Sequence, residues 1–541
     1  MATERTPLVP KSPAEASRRD FALLLTGIWS LTFISSLDLT IVATLISTIG
    51  SSLESMQLSS WLGTAYLLSL TACTPLYGRL ANVLGRRPCV LFAGTLFGLG
   101  TILCGFAQNM PQLIACRALA GMGGGGMTVV GSVIISDSVS LKSRGLYQGF
   151  ANLLFGLGSA VGAPLGGWIG DTIGWRAAFL FQAPLLSCGL TLLFLKVREP
   201  PLVLNAARTT LLAKLKRIDY AGAVSLVAAL LTFLVGMNYK TTAGHEWGDP
   251  RVWGYLVAAA VLLLGFLAVE FKFAVEPIMA VTILKQRTPF FVAIHNFILS
   301  VLSFSILYNT PLYFTAARLR TSANAGSHLI PNSACVAVGS LFAGWYMRRT
   351  GRYWKLQALA GLGIIAANCV LASWTRRTPE WVLYTTLMPM GFGSAFTLTT
   401  TLLALIASVP TDDIPLATGL SYLFRTTGQV LGVSLSAALT QTILARELRV
   451  RIVGEGADEI IAKILASTAY IHTLPTELQN KASESWMRAL HVVFLCHIVV
   501  AVCLFLSSLP VEELALPDTL GSAQPAGPPG TADAETPREE S

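Results

Sequence analysis

This chain has little charge. Only 12% of its residues are Asp, Glu, Lys or Arg, about half the share of a soluble protein, so a length of 541 residues is not read as several soluble domains. Its 9 cysteines never form a CxxC pair, and Cys73, Cys104, Cys116, Cys188, Cys369, Cys496 and Cys503 lie inside apolar runs. A disulfide framework or a metal site is therefore not expected. There is no Gly-x-x-x-x-Gly-Lys-Ser/Thr loop, which argues against a nucleotide as energy source, and nothing implies a cofactor. The first twenty residues contain Pro7, Pro10 and Pro13 and both charge signs without an apolar core, so no cleavable signal peptide is expected. A net charge of +9 could suggest nucleic acid. The basic residues, however, sit in short clusters between apolar runs, which is topological charge, and no nucleic-acid partner is expected.

Apolar residues make up 53% of the chain and the mean hydropathy is +0.62. About twenty apolar residues in a helix cross a bilayer, and about fourteen stretches qualify. They run over residues 21–46, 61–78, 88–106, 112–135, 146–169, 177–195, 220–237, 253–269, 290–314, 325–347, 356–374, 381–408, 415–444 and 489–509. The expected fold class is an all-α polytopic membrane protein. Alternate connections are basic: Arg79, Arg86 and Arg87; Lys142 and Arg144; Lys196 to Arg217; Lys285 and Arg287; Arg348 to Lys355. The positive-inside rule places these turns and both termini in the cytosol, although Arg318, Arg320, Arg376 and Arg377 fall on the far side. The expected organisation is a cytosolic tail (1–20), a six-helix bundle (21–198) and linkers carrying two inserted spans (199–287). A second six-helix bundle (288–509) follows, with a large non-cytosolic loop (445–488), and then a disordered acidic tail (510–541).

An internal echo supports two related halves. Gly78-Arg79-Leu-Ala-Asn82-Val-Leu-Gly85-Arg86-Arg87 follows the second span, and Gly344-Trp-Tyr-Met-Arg-Arg-Thr-Gly351-Arg352 follows the tenth. Each places two glycines seven residues apart before an arginine. The turns fall at matching points of two six-span halves if spans seven and eight are an insertion, and transporters are commonly built from repeated halves.

The segment from Gly78 to Pro88 resembles the loop signature of the major facilitator superfamily. Arg117-Ala-Leu-Ala-Gly121 resembles its span-four arginine motif, and the stretch from Gly156 to Gly167, with Gly162-Ala163-Pro164, its antiporter motif. Leu37-Asp38-Leu-Thr-Ile-Val-Ala43 and the fourteen-span plan are similar to the drug:proton antiporter branch. Ser136-Asp137 to Arg144-Gly145, Tyr147-Gln148-Gly149 and Ile173-Gly174-Trp175-Arg176 most resemble fungal vacuolar basic amino acid transporters. Two departures stand out. Asn82 replaces the acid of the loop signature, which weakens the charge-paired latch expected there, and Ala163 interrupts the usual Gly-Pro.

The resemblance implies the major facilitator fold, two six-helix bundles plus two extra central helices. It also implies a proton-coupled, alternating-access antiporter of basic amino acids or similar cationic small molecules, with the vacuolar membrane favoured. The alternative is a plasma-membrane efflux pump for drugs or toxic metabolites; a membrane-embedded enzyme is more remote. The expected partners are a small-molecule substrate, protons and the lipid bilayer, and the expected state is monomeric.

Asp38 is the one carboxylate well inside an apolar run. A buried carboxylate is costly unless paired or hydrated. Desolvation favours its neutral form and a cationic substrate its ionised form, the opposing pulls that a proton-for-cation exchanger needs. A structural pairing of Asp38 with an intramembrane arginine is the alternative, and both can hold. Arg117 is read as the modulator of that acid. Arg425, His295, His328, Tyr66 and Tyr308 are candidates for the substrate cavity, each with a plain packing or snorkelling alternative. Gly78, Arg79, Asn82, Gly85, Arg86 and Arg87 are read as a cytosolic gating loop. Gly158, Gly162, Pro164 and Gly166 are read as a hinge, because glycines four apart share one helix face that admits a second backbone.

Overall fold

The computed structural model describes residues 18–55, 58, 61–139, 141–197, 220–241, 247–272, 281–320, 322–410, 413–454, 456–466 and 468–513. Helices dominate, and among the described residues eleven are long and apolar enough to cross a membrane by length and composition. The first half contains α1 (Arg18–Ser52), α2 (Trp61–Val83), α3 (Arg86–Phe106), α4 (Met110–Ser138), α5 (Leu141–Thr172), α6 (Trp175–Leu180) and α7 (Ala183–Lys196). Next come α8 (Tyr220–Thr241) and α9 (Pro250–Lys272). The second half contains α10 (Arg287–Leu312), α11 (Ile330–Thr350), α12 (Trp354–Ala372), α13 (Glu380–Thr386), α14 (Met388–Ala407), α15 (Ile414–Arg451), α16 (Ala457–Ala466) and α17 (Thr476–Ser508).

Local chemistry sets the breaks. Asn109 caps α4 by accepting the Gln112 amide at 3.0 Å, and Gln112 in turn accepts from the Gln108 amide. The α6–α7 break precedes Pro184, which lacks an amide hydrogen and crowds the carbonyl one turn back. Pro389 breaks α13 from α14 in the same way. A π turn over Tyr313–Ala317 follows Pro311.

The large loop expected at 445–488 is shorter than its charge suggested. Helix α15 runs on to Arg451 and α17 starts at Thr476. Ion pairs of Arg451 and Arg488 with Glu447, of Arg451 with Glu484 and of Lys481 with Glu477 let the polar extensions stay helical. Most of the expected linker and acidic tail lies outside the described residues.

Helices α1 to α7 pack mainly on one another, as do α10 to α17. The halves meet along two seams, α2 against α15 and α5 against α11. The paired helices α8 and α9 lie beside the first, with α8 touching both α2 and α15.

The echo acquires a meaning here. A Cβ on Gly78 would come within 2.9 Å of the Pro415 carbonyl and 3.0 Å of Gly419 Cα, both on α15. A Cβ on Gly344 would fall 2.6 Å from the Gly145 carbonyl and 2.5 Å from Leu146 Cα on α5. The first glycine of each motif is thus where the two halves touch backbone to backbone. The second glycine makes the turn: Gly85 has φ 104° and Gly351 φ 68°, a region disfavoured for side chains. Both seams are therefore closed at the end carrying the basic turns.

Gly344→Ala is expected to wedge that end open. A cysteine placed at Gln148, in a background without native thiols, should label several-fold faster from the basic-turn side. Gly156→Ala, whose added methyl would find its nearest atom 4.0 Å away, should leave the rate unchanged. Equal labelling in the two variants would dismiss the seam as the closing contact.

Candidate functional site

Asp38 is fully buried in α1 but not alone. Its Oδ2 accepts from Arg117 Nη1 at 2.6 Å, and its Oδ1 accepts from Gln182 Nε2 at 3.3 Å. Arg117, also buried, donates through Nε to the Leu62 carbonyl at 3.4 Å. Its guanidinium lies over the Tyr66 ring, 4.4 Å from the centroid, and the Tyr66 hydroxyl is 3.3 Å from Ser35 Oγ. Three local features build this cluster. Asp38 sits mid-way along α1, Arg117 about two turns into α4, and Gln182 occupies the break that Pro184 enforces. Gln182 was missed in the sequence; an amide inside an apolar run two residues before a proline was the available signal.

Of the two readings of Asp38, this conformation contains the pairing with an intramembrane arginine. In this conformation Asp38 is 0% exposed and engaged by Arg117 and Gln182. The cluster is not saturated: among the described residues, Arg117 Nη2 and Gln182 Oε1 are buried without hydrogen-bond partners. Two polar atoms are thus left over for a second arrangement of these side chains.

The glycine face of α5 grips the backbone on both sides of Asp38. A Cβ on Gly158 would lie 2.4 Å from the Phe33 carbonyl, one on Gly162 2.6 Å from the Leu37 carbonyl, and one on Gly166 3.1 Å from Ile41 Cα. Pro164 stands inside α5, which continues as one helix from residue 141 to 172. In this conformation these glycines are a clasp within the first half, whereas the contact between halves uses Gly145 and Gly149 nearer the start of α5.

A small polar cavity of about 20 Å³ lies between the halves, room for one water rather than a solute. Gln148 and Asn152 of α5 line one side, and Asn296, Leu398, Leu402, Ser421, Tyr422 and Arg425 the other. Asn296 donates to Ser421 and accepts from Thr401, each at 3.0 Å. Asn152 donates across the seam to Ser340 at 3.3 Å. Arg425 rests against the Tyr422 ring, 5.6 Å from its centroid. Asn152, Asn296 and Ser421 are cavity residues that sequence reasoning did not single out, since isolated amides and hydroxyls carry no spacing signature, and Gln148 entered it only as part of the Tyr147-Gln148-Gly149 resemblance.

Of Arg425, His295, His328, Tyr66 and Tyr308, Arg425 lines the cavity. Tyr66 belongs to the Arg117 cluster. His295 is buried against Ser507 of α17, Nδ1 to Oγ 2.8 Å. His328 lies near the opposite end, stacked between Phe314 and Tyr384 and 3.2 Å from Glu380. Tyr308 is half-exposed on α10. These three were placed by aromatic and imidazole chemistry, which does not reveal which way a helix face turns.

In the basic turn, Arg79 continues α2, and the side chain of Asn82 lies outside the described residues. Arg86 finds a carboxylate elsewhere: its Nε donates to Asp137 at the end of α4, 3.0 Å away, and its Nη1 to the Ala81 carbonyl at 3.0 Å. The guanidinium of Arg87 lies 4.7 Å from the centre of the Phe194 ring. A charge-paired anchor thus exists at this turn although its own acid is replaced.

Comparison with known proteins places this geometry. A family model described as Major Facilitator Superfamily matches residues 28–433. A multidrug resistance protein of Schizosaccharomyces pombe is 39% identical, over 95% of this chain and 98% of its own. Vacuolar basic amino acid transporter 2 of Saccharomyces cerevisiae is 30% identical, over 86% of this chain and 100% of its own. Among solved structures, the proton:xylose symporter XylE superposes with a TM-score of 0.54 at 14% identity, covering 92% of this chain and 97% of the symporter. With a family match over most of its length and relatives aligned nearly end to end, this multi-pass membrane protein belongs to the major facilitator superfamily of transporters.

Proposed function

We propose that this protein is a proton-coupled antiporter that moves basic amino acids or similar cationic small molecules across the vacuolar membrane by alternating access. Its fourteen spans would leave both termini in the cytosol. The buried Asp38–Arg117 pair carries this proposal. Each charge costs several kcal/mol to desolvate, and the partner offsets that cost. A proton on Asp38 neutralises the acid and strands the guanidinium, and losing one partner of a buried pair costs about 3–5 kcal/mol. The proton is therefore tolerated only where Arg117 gains another acceptor or water, which requires a different packing of α1, α4 and the α6–α7 break. Proton binding and helix arrangement become one equilibrium.

Helix α5 links that equilibrium to cargo. One of its faces holds the backbone around Asp38, and the other presents Gln148 and Asn152 to the cavity and Gly145 and Gly149 to α11. A shift of α1 against α5 would be felt at the seam. With the basic-turn end closed and the cavity too small for a solute, the present conformation is one of the two that alternation needs.

The vacuolar setting is supported by the yeast relative named as a vacuolar basic amino acid transporter. The relative named as a multidrug resistance protein supports a second version, the same machine expelling toxic compounds at the plasma membrane. Imaging a tagged copy while measuring uptake of labelled lysine, arginine and histidine into isolated vacuoles separates the two. Vacuolar signal with uptake that saturates and collapses with an uncoupler is expected; plasma-membrane signal without such uptake would replace the first version by the second.

Asp38→Asn is expected to abolish uptake driven by a pH gradient and, by stranding Arg117, to lower the thermal stability of the purified protein. The double variant Asp38→Asn/Arg117→Gln should regain much of the stability but none of the coupling. Gradient-driven uptake by the double variant at the native rate would reduce the pair to a structural element.

A further inference from the structure

Resting on that proposed transport of basic amino acids, we infer that Arg425 is the anchor for the carboxylate of the transported molecule, so that this cavity recognises amino acids rather than organic cations in general. The charge inventory of the cavity leads there. Its described lining contains one guanidinium, two carboxamides besides Gln148, Ser421 and Tyr422, and no carboxylate. Arg425 pairs with no carboxylate among the described residues; its one contact of note is the Tyr422 ring.

A plain cation entering this space would meet like charge with nothing opposing it. Asp38 does not supply the missing charge, because both its oxygens are engaged by Arg117 and Gln182 away from the cavity. An amino acid resolves the conflict. Its carboxylate matches the planar fork of a guanidinium, the strongest and most directional of such pairings. Its ammonium groups can turn to the amide oxygens of Gln148 and Asn152, neutral acceptors on the facing wall. Once the halves part enough to admit it, the zwitterion would bridge the opened cavity, with its anion on α15 and its cation on α5, and draw on both halves of the protein.

Position adds a consequence. Arg425 lies on the helix whose Gly419 meets Gly78 at the seam, less than two turns away. A carboxylate seated on Arg425 therefore loads the same helix that closes the basic-turn end, so recognition of the cargo and movement of the seam share one rigid element.

The test uses purified full-length protein in proteoliposomes under a pH gradient, with labelled lysine as the probe and two pairs of competitors. Each pair differs by the carboxylate alone: lysine against cadaverine, and arginine against agmatine. In the native protein the decarboxylated member should compete about tenfold or more weaker than its parent. Arg425→Gln should raise the KM for lysine by a similar factor and erase the preference for lysine over cadaverine, while Arg425→Lys keeps part of it. Thermal unfolding of each variant checks the fold, and the competition in the native protein stands whether or not a variant survives. Cadaverine and agmatine competing as well as their parents, or an unchanged preference in a folded Arg425→Gln, would overturn the assignment. Absence of any lysine uptake by the native protein would overturn the underlying transport proposal and this assignment with it.

Discussion

A carboxylate and a guanidinium that exclude water from one another organise the first half of this protein. Asp38 and Arg117 can be buried only as a pair, and every neighbouring feature serves that requirement. Gln182 supplies a hydrogen bond to the second carboxylate oxygen. Tyr66 covers the guanidinium with a ring face. The Leu62 carbonyl takes the Nε proton, and the glycines of α5 close the space around the backbone of α1. Two polar atoms of the cluster remain unpartnered, which fits a network that has a second arrangement rather than one optimised for stability alone.

Glycine does two different jobs along the same helices, and the difference separates contacts within a half from contacts between halves. Gly158, Gly162 and Gly166 press α5 onto α1, where a side chain would strike main-chain carbonyls. Gly145 and Gly149, two turns earlier, press α5 onto α11 of the other half. The first set binds a helix into its own bundle. The second joins the two halves, as does the Gly78–Gly419 approach at the other seam. Helix α5 both lines the cavity and packs on the backbone of the helix that carries Asp38.

Much of the architecture was legible before any coordinates. Apolar runs marked the helices because hydrocarbon solvent forces every backbone amide to be satisfied within its own segment, and that rule operates on local sequence. The echo of Gly78 and Gly85 in Gly344 and Gly351 was equally visible, though its division of labour was not. Charge misled in one place: the polar ends of α15 and α17 looked like loop because a hydropathy pattern cannot distinguish a charged loop from a helix continuing past the membrane.

By itself, the sequence determined that Asp38 is a buried acid in need of a partner and that α5 carries a small-residue face. These follow from residue type and helical period alone. Only the tertiary structure decided that the partner is Arg117, 79 positions away along the chain, that Gln182 completes the pair, and that Arg425 rather than His295, His328 or Tyr308 faces the space between the halves. The reason is rotational. Hydropathy marks where a helix crosses, but the angle at which it is set, and hence which side chains meet, is chosen by packing between segments far apart in sequence.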